Sequence, residues 1–145
     1  MCQDAFYGVP AGASTLYCDD LNRTDPYNLY PYLAVLPSGG IFVAYYNEVR
    51  ILDEGTLDTS RVLPNIPGGV NDFDGGRIYP FEGTAVVMPQ YSPYTAPLEI
   101  MICGGSNPFS ETSLDNYVTI APEVTGANWT IEHMVSLSSL SFLPC

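Results

Sequence analysis

Few residues of this chain have side chains that could carry chemistry, and the first to consider is a tyrosine that follows an arginine by two positions. Arg77 and Tyr79 lie in GGRIYPFEGTAVVMP, residues 75–89, where the tyrosine is expected to open a short apolar strand. A tyrosine ring can serve as a one-electron redox group beside a metal, or it can simply pack at the start of a strand. The spacing alone leaves both interpretations open.

The single histidine, His133, lies in the stretch WTIEHMV. We predict that it is a surface or edge-strand residue rather than a metal ligand. The sequence contains neither Cys-x-x-Cys, Gly-x-Ser-x-Gly nor a phosphate-binding loop, so zinc, serine-hydrolase and nucleotide sites have no support. The acidic pairs Asp19–Asp20 and Asp72–Asp74 could bind calcium, but solvated loop acids are the default interpretation. We therefore assign no catalytic, cofactor-binding or metal-binding residue to this chain.

The four cysteines, Cys2, Cys18, Cys103 and Cys145, allow three full disulfide pairings, and the sequence does not choose among them. Cys2 and Cys18 form the plausible local pair, whose loop would contribute about 3 kcal/mol in the chain-entropy model. Cys103 lies in the apolar stretch EIMICGG, and it is expected to be a buried small hydrophobic residue.

Composition limits the possible partners. The 145 residues are 46% hydrophobic and carry a net charge of −12, mostly because lysine and arginine are scarce. Such a chain can bury a core, but it should repel nucleic acid and anionic membranes. No apolar run approaches the roughly 20 residues of a membrane helix. Two glycosylation sequons begin at Asn22 and Asn128; such tripeptides carry N-glycans in secreted proteins and also arise by chance. The first residues, MCQDAFYGVPAGAS, do not resemble a signal peptide.

The many glycines, prolines and tyrosines indicate an all-β protein with short strands. Three strands are predicted at Tyr30 to Leu36, Ile41 to Tyr45 and Val49 to Asp53, with a tight turn near Tyr46–Asn47. The run RVLPNIPGG can supply only an edge strand, because its prolines cannot donate to a sheet. Four further strands follow in IYPFEGTAVVMP, PLEIMICGG, DNYVTIAP and WTIEHM.

This strand pattern repeats. Tyr-Pro opens the first strand of each unit, at Tyr30 and Tyr79, and proline closes it, at Pro37 and Pro89. The spacing falls in the ~40–50 residue range of propeller blades. We predict a kelch-like β-propeller fragment: an irregular segment over 1–27, two four-stranded antiparallel blades over 28–134, and the truncated start of a further blade over 135–145. Two blades cannot close a ring, so the pattern predicts the middle of something longer.

The chain resembles the fungal glyoxal oxidases, extracellular copper radical oxidases related to galactose oxidase. The resemblance lies in NLYPYLAVLPSGGIFVAYYNEVRILD, LPNIPGGVNDFDGGRIYPFEGTAVVMPQ, LEIMICGGS and WTIEHM. It implies a kelch propeller whose copper is held by two histidines and two tyrosines, one of them joined to a cysteine by a thioether. Such an enzyme oxidises an aldehyde or primary alcohol and reduces dioxygen to hydrogen peroxide.

The copper site implied by the resemblance cannot be built from one copy of this chain, which has one histidine and no Tyr-His pair. In the family, the cross-linked tyrosine and its cysteine come before the blade that begins NLYP, whereas Tyr79 comes after it. We therefore expect Tyr79 to be structural; as a cofactor tyrosine it would have Cys18 as its only reasonable thioether partner.

Two functions follow as expectations. The first is a segment of a secreted glyoxal-oxidase-like enzyme, inactive alone, whose partner is the rest of the propeller and whose copper lies elsewhere. The alternative is a non-catalytic extracellular β protein that binds a glycan or a protein. In either case N-glycans are expected at Asn22 and Asn128.

Overall fold

The computed structural model describes residues 25, 29–68, 76–77, 81–107 and 113–134, and these form eight β-strands and no helix. None of the described residues therefore belongs to a helix that could cross a membrane. The strands are β1 Tyr32–Val35, β2 Ile41–Tyr45, β3 Glu48–Leu52, β4 Thr59–Val62, β5 Thr84–Val87, β6 Ile100–Cys103, β7 Asn116–Ile120 and β8 Thr130–His133.

The strands form two four-stranded antiparallel sheets, each with its strands in chain order. The first sheet contains β1 to β4, and the second contains β5 to β8. This confirms the predicted all-β class and the two units of four strands. Short turns join the neighbouring strands of the first sheet, as at Leu36–Gly40, where the Leu36 N–H donates to the Gly40 carbonyl at 2.8 Å. Tyr46 has a φ of 54° in the predicted tight turn between β2 and β3.

Strands β1 and β3 differ from their predicted bounds by one or two residues, and β4 and β5 begin elsewhere than expected. β4 begins at Thr59, earlier than the run RVLPNIPGG indicated, although it is an edge strand as expected. β5 begins at Thr84, so the expectation that Tyr79 opens this strand is wrong. The cause is local: Glu82 has a φ of 60°, which is incompatible with an extended strand. Tyr79 itself lies outside the described residues, so its structural role stays a prediction.

The core lies between the two sheets. Strands β2 and β3 contribute Phe42, Ala44, Val49 and Ile51, and strands β6 and β7 contribute Ile100, Ile102, Val118 and Ile120. The alternation of buried and half-buried residues along β3 and β7 puts every second side chain into this core. Burial of each large aliphatic side chain contributes about 1.5–3 kcal/mol, so the shared core is the main source of stability.

The strand registers allow the two sheets to be superimposed position by position. Val35 pairs with Ile41 in the first sheet, and Val87 pairs with Ile100 in the second. Val35 is therefore equivalent to Val87, which agrees with the prolines that follow each strand two residues later. The same superposition makes Ile41 equivalent to Ile100.

Equivalent residues point in opposite directions relative to the core. Phe42 and Ala44 of the first sheet face the core, whereas their equivalents Met101 and Cys103 lie on the far face of the second sheet, turned away from the first. A sandwich with two-fold symmetry would bury the same face of both sheets, so the sheets instead stack head to tail. Head-to-tail stacking leaves one unused contact face at each end.

The far face of the first sheet, which points away from the second sheet, carries exposed apolar side chains on its edge strands β1 and β4, beside the Arg50–Glu48 pair of β3. Leu33 is 66% exposed, Val35 74% and Val62 62%. The equivalents of Leu33 and Val62 in the second sheet are Ala85 and Ile131, and both pack against the shared core. The face that the first sheet exposes to solvent is thus equivalent to the face that the second sheet packs against the shared core.

We predict that Gly83→Ala destabilises the protein by about 3 kcal/mol, the upper end of ordinary point substitutions. A Cβ at Gly83 would lie 1.5 Å from the Arg77 carbonyl oxygen, so the backbone before β5 would have to move. Urea unfolding followed by tyrosine fluorescence measures the change.

The matched control is Gly55→Ala in the turn between β3 and β4, where the nearest atom to a new Cβ is 3.4 Å away. It should change the free energy of unfolding by less than about 0.5 kcal/mol. Equal effects of the two substitutions would contradict the close approach of residue 83 to residue 77.

Candidate functional site: a buried arginine between the two sheets

Arg77 lies in the connection between the two sheets, and its side chain is fully buried. Nε donates to the Pro67 carbonyl at 3.0 Å, and Nη2 donates to the Pro67 and Gly68 carbonyls at 2.8 and 2.7 Å. These acceptors follow the last strand of the first sheet. The guanidinium therefore holds the segment that leaves that sheet.

The same guanidinium also binds the second sheet. Nη1 donates to the Gly104 carbonyl at 2.9 Å and to the Asn116 carbonyl at 3.3 Å, and Nη2 donates to the Asn116 side-chain oxygen. Gly104 follows β6 and Asn116 begins β7. One buried side chain thus joins the end of one sheet to two strand ends of the other.

The acceptors around Arg77 are neutral carbonyls, and no carboxylate of the described residues forms an ion pair with it. Burial lowers the pKa of Arg77 to about 10, so the group stays positively charged at neutral pH. Burying this charge is costly, but the fork of donors is fully matched by carbonyl dipoles. The arrangement is suited to holding backbone in place, not to proton transfer.

The backbone at residues 76–77 is also tightly enclosed. The Tyr32 hydroxyl of β1 donates to the Arg77 carbonyl at 3.0 Å, and burial raises the pKa of this tyrosine. Gly76 and Ser106 form an antiparallel bridge. A Cβ at Gly105, which has a φ of +106°, would lie 2.3 Å from the Gly76 carbonyl oxygen. The Gly-Gly after β6 therefore permits the close approach of residues 105 and 76.

In the sequence Arg77 stands out only as the neighbour of a tyrosine, and nothing there pointed us to Asn116. Asn116, Val118 and Ile120 alternate along β7 and are all buried. A polar residue at the first position of that apolar series was the available signal, because a buried amide requires hydrogen-bond partners. Its partners include the Arg77 guanidinium and the Gly68 carbonyl, the latter at 3.4 Å.

His133 lies at the end of β8, which is an edge strand of the second sheet. Its side chain is 65% exposed, and Nδ1 is 3.7 Å from the Asp115 carboxylate. This confirms the predicted surface position on an edge strand. Within the described ranges, no three histidine, cysteine, aspartate or glutamate side chains come together in a way that could hold a metal ion.

A copper ion of the kind implied by the sequence resemblance does not fit these residues. The chain contains one histidine, and that histidine is exposed beside one carboxylate rather than directed into an enclosed site. Copper in proteins is well suited to imidazole ligands, and a second imidazole cannot come from this chain.

Cys103 ends β6 on the far face of the second sheet and is half-buried with a free thiol. It is less buried than predicted, because that face has no sheet against it within the described residues. Its equivalent in the first sheet, Ala44, is completely buried by the second sheet. The other residues considered from sequence lie outside the described ranges: Cys2, Cys18, Asp19, Asp20, Asn22, Asp72, Asp74, Tyr79 and Cys145.

The relatives that are similar to this chain include three longer proteins. A WSC domain-containing protein of Arthroderma benhamiae is 56% identical over 139 residues, covering 94% of this chain and 15% of the relative. Art an 7 of Artemisia annua, named provisionally as an aldehyde oxidase, is 38% identical over 84 residues, covering 56% of this chain and 13% of the relative. The aldehyde oxidase GLOX of Vitis pseudoreticulata is 30% identical over 91 residues, covering 62% and 16%.

This chain therefore spans only about 13–16% of the length of these curated relatives. No protein-family model matches the chain, and no solved structure matches it. The similarity thus connects an all-β chain of two sheets with small parts of much longer proteins, two of which carry an aldehyde oxidase name.

We predict that Arg77→Lys destabilises the protein by about 3 kcal/mol. Lysine has three donors on one nitrogen and cannot match the fork of carbonyls, so buried acceptors would lose their partners at about 1–3 kcal/mol each. Arg61→Lys at a half-exposed position of β4 is the control and should change stability by less than about 0.5 kcal/mol.

Denaturant unfolding of both variants decides the outcome. If Arg77→Lys were as mild as Arg61→Lys, the hydrogen bonds of Arg77 would not be what joins the sheets.

Proposed function

We propose that this chain is a two-blade segment of a secreted, glyoxal-oxidase-like copper radical oxidase with a kelch-type β-propeller. In this proposal the segment contributes part of the propeller wall and no copper ligand. The whole enzyme would oxidise an aldehyde to an acid, or a primary alcohol to an aldehyde, and reduce dioxygen to hydrogen peroxide. The segment's own task is structural, and Arg77 fixes its two blades to each other.

The observation that carries this proposal is the head-to-tail stacking of the two sheets. Units that stack in this way can repeat, and a ring of such units is one way to cover the contact face left at each end. The exposed apolar face around Leu33, Val35 and Val62 is what a preceding blade would bury. An apolar face of this kind is a liability in an isolated soluble protein.

The enzyme class rests on the relatives. Two of the three proteins described above have names that include aldehyde oxidase, and each is several times longer than this chain. Their remaining length is where copper ligands would lie in this proposal. His133 takes no part in it, since it is exposed at an edge strand.

The sequence that flanks this segment in its gene tests the proposal directly. We expect a cysteine and a tyrosine upstream, before the first sheet, and a Tyr-His pair downstream. Stop signals immediately on both sides, with no such flanks, would contradict the proposal and would instead favour a small non-catalytic β protein that binds a glycan or a protein.

We predict that the isolated chain, after incubation with Cu²⁺ and dialysis, retains no stoichiometric copper and produces no peroxide from glyoxal-type aldehydes or galactose. Metal analysis and a peroxidase-coupled assay measure both quantities. His133→Ala is the matched variant and should leave any residual copper unchanged, because one exposed imidazole is a weak site. Stoichiometric copper with turnover in the isolated chain would contradict the absence of a copper site.

We also predict that the isolated chain self-associates through the far face of its first sheet. The double substitution Leu33→Thr and Val35→Thr keeps strand-forming residues but removes apolar contact area. The dissociation constant of the association should rise about tenfold, which corresponds to about 1.4 kcal/mol. Sedimentation analysis over a range of protein concentrations measures this shift.

The control for this experiment is Val124→Thr, in the turn between β7 and β8, where the valine is exposed but lies outside that face. It should leave the dissociation constant unchanged. A wild-type chain that is a sharp, stable monomer would contradict the segment proposal.

A further inference from the structure

The tripeptide Asn128-Trp129-Thr130 lies where the chain enters β8, the outermost strand of the second sheet. We propose that Asn128 carries an N-linked glycan. An Asn-x-Thr tripeptide is the acceptor sequence for this modification. In the reaction the Asn128 side-chain nitrogen displaces the pyrophosphate group from the anomeric carbon of a lipid-pyrophosphate-linked oligosaccharide. One amide proton is lost as the carbon–nitrogen bond forms.

The exposure of the three side chains alternates along the tripeptide, which leaves both sequon residues accessible to a modifying enzyme. Asn128 and Thr130 are exposed, whereas Trp129 is half-buried and packs against the core. The Trp129 indole Nε1 donates to the Pro64 carbonyl of the first sheet's trailing segment at 2.8 Å. The tryptophan therefore fixes the tripeptide to the core side of the strand, and the side chains of Asn128 and Thr130 face solvent.

The Asn128 amide is oriented by its neighbour. Its side-chain oxygen accepts a hydrogen bond from the Trp129 N–H at 3.0 Å. No described residue accepts a hydrogen bond from the Asn128 side-chain nitrogen, which is the atom that would bear the sugar. The attachment atom is thus available while the carbonyl half of the amide is fixed.

A shallow groove of about 320 Å³ adjoins Asn128 and has room for the first sugar. Its lining includes Glu99, Thr119, Val124 and Thr130, which combine polar groups with an apolar surface. A Cβ at Gly126, one wall of this groove, would meet no atom within 4 Å. The approach to the attachment atom is therefore open.

The site would stay open in a longer protein that adds a third sheet. Asn128 precedes β8 on the far face of the second sheet, which a following sheet would cover. The first sheet shows what such covering does, because the second sheet already covers its equivalent face. The strand registers make Arg61 the equivalent of Thr130, and Arg61 stays half-exposed on the covered face of the first sheet.

The test uses the natural gene product that contains this segment, expressed with a secretion leader in a eukaryotic host. Peptide-N-glycosidase in heavy-oxygen water should convert Asn128 to a labelled aspartate, and it should do so without denaturant because the site is exposed. Asn128→Gln and Thr130→Ala should each remove the label and one glycan's mass, whereas Thr130→Ser, which keeps the sequon, should retain both.

The sequon at Asn22 serves as an internal indicator of passage through the secretory route. A labelled Asn22 with an unlabelled Asn128 would overturn the proposal while leaving secretion intact. An unlabelled Asn128 in a secreted product with both sequons empty would overturn it as well. Label at Asn128 that appears only after denaturation would still support the glycan, because the access of the glycosidase to the folded glycoprotein is a separate property from attachment of the sugar.

Discussion

The structure depends on one buried cation. The Arg77 guanidinium is enclosed by carbonyl groups from the segment after the first sheet and from two strand ends of the second. A buried charge without these acceptors would be strongly unfavourable, so the side chain can remain inside only if both sheets hold their positions. The requirement is reciprocal: the sheets fix the guanidinium, and the guanidinium fixes the spacing between them.

Other inter-sheet contacts agree with this geometry. The Ser38 N–H, at the end of the first sheet opposite Pro67, donates to the Glu123 carboxylate at 2.9 Å. The Trp129 indole, before β8, donates to the Pro64 carbonyl, after β4. With the aliphatic core between them, these contacts set a head-to-tail stack rather than a symmetric sandwich. Such a stack has an uncovered contact face at each end. Further sheets could cover these faces, and this is why the fold supports the proposal that the chain is part of a larger propeller.

Much of the fold could be predicted from sequence because local signals are strong here. Alternating apolar residues, glycine-rich turns and prolines placed seven of the eight strands close to their observed positions, including Ile41–Tyr45, which is as predicted. The start of β5 was misplaced because an apolar run cannot reveal a residue such as Glu82 in a left-handed conformation. The next residue, Gly83, lies against the Arg77 backbone, and a contact of this kind between the folded backbone and a residue six positions earlier is not visible in the apolar pattern.

The candidate site was harder to predict for the same reason. Arg77 binds carbonyls at residues 67, 68, 104 and 116, and a contact between backbone carbonyls and a distant side chain leaves almost no pattern in the sequence. The surface position of His133 was predictable because a single histidine in an edge strand has no second imidazole with which to share a metal ion. The closed propeller, the copper chemistry and the role of Tyr79 require chain or residues beyond those described, so they stay proposals.

The central claim is that Arg77 makes the two sheets one cooperative unit. Native-state hydrogen exchange measures this by comparing amides in the central strands β2 and β3 with those in β6 and β7. We expect the two sets to exchange with the same opening free energy, and Arg77→Met to lower both by the same amount. Two different opening free energies, with Arg77→Met affecting neither sheet or only one, would contradict the claim.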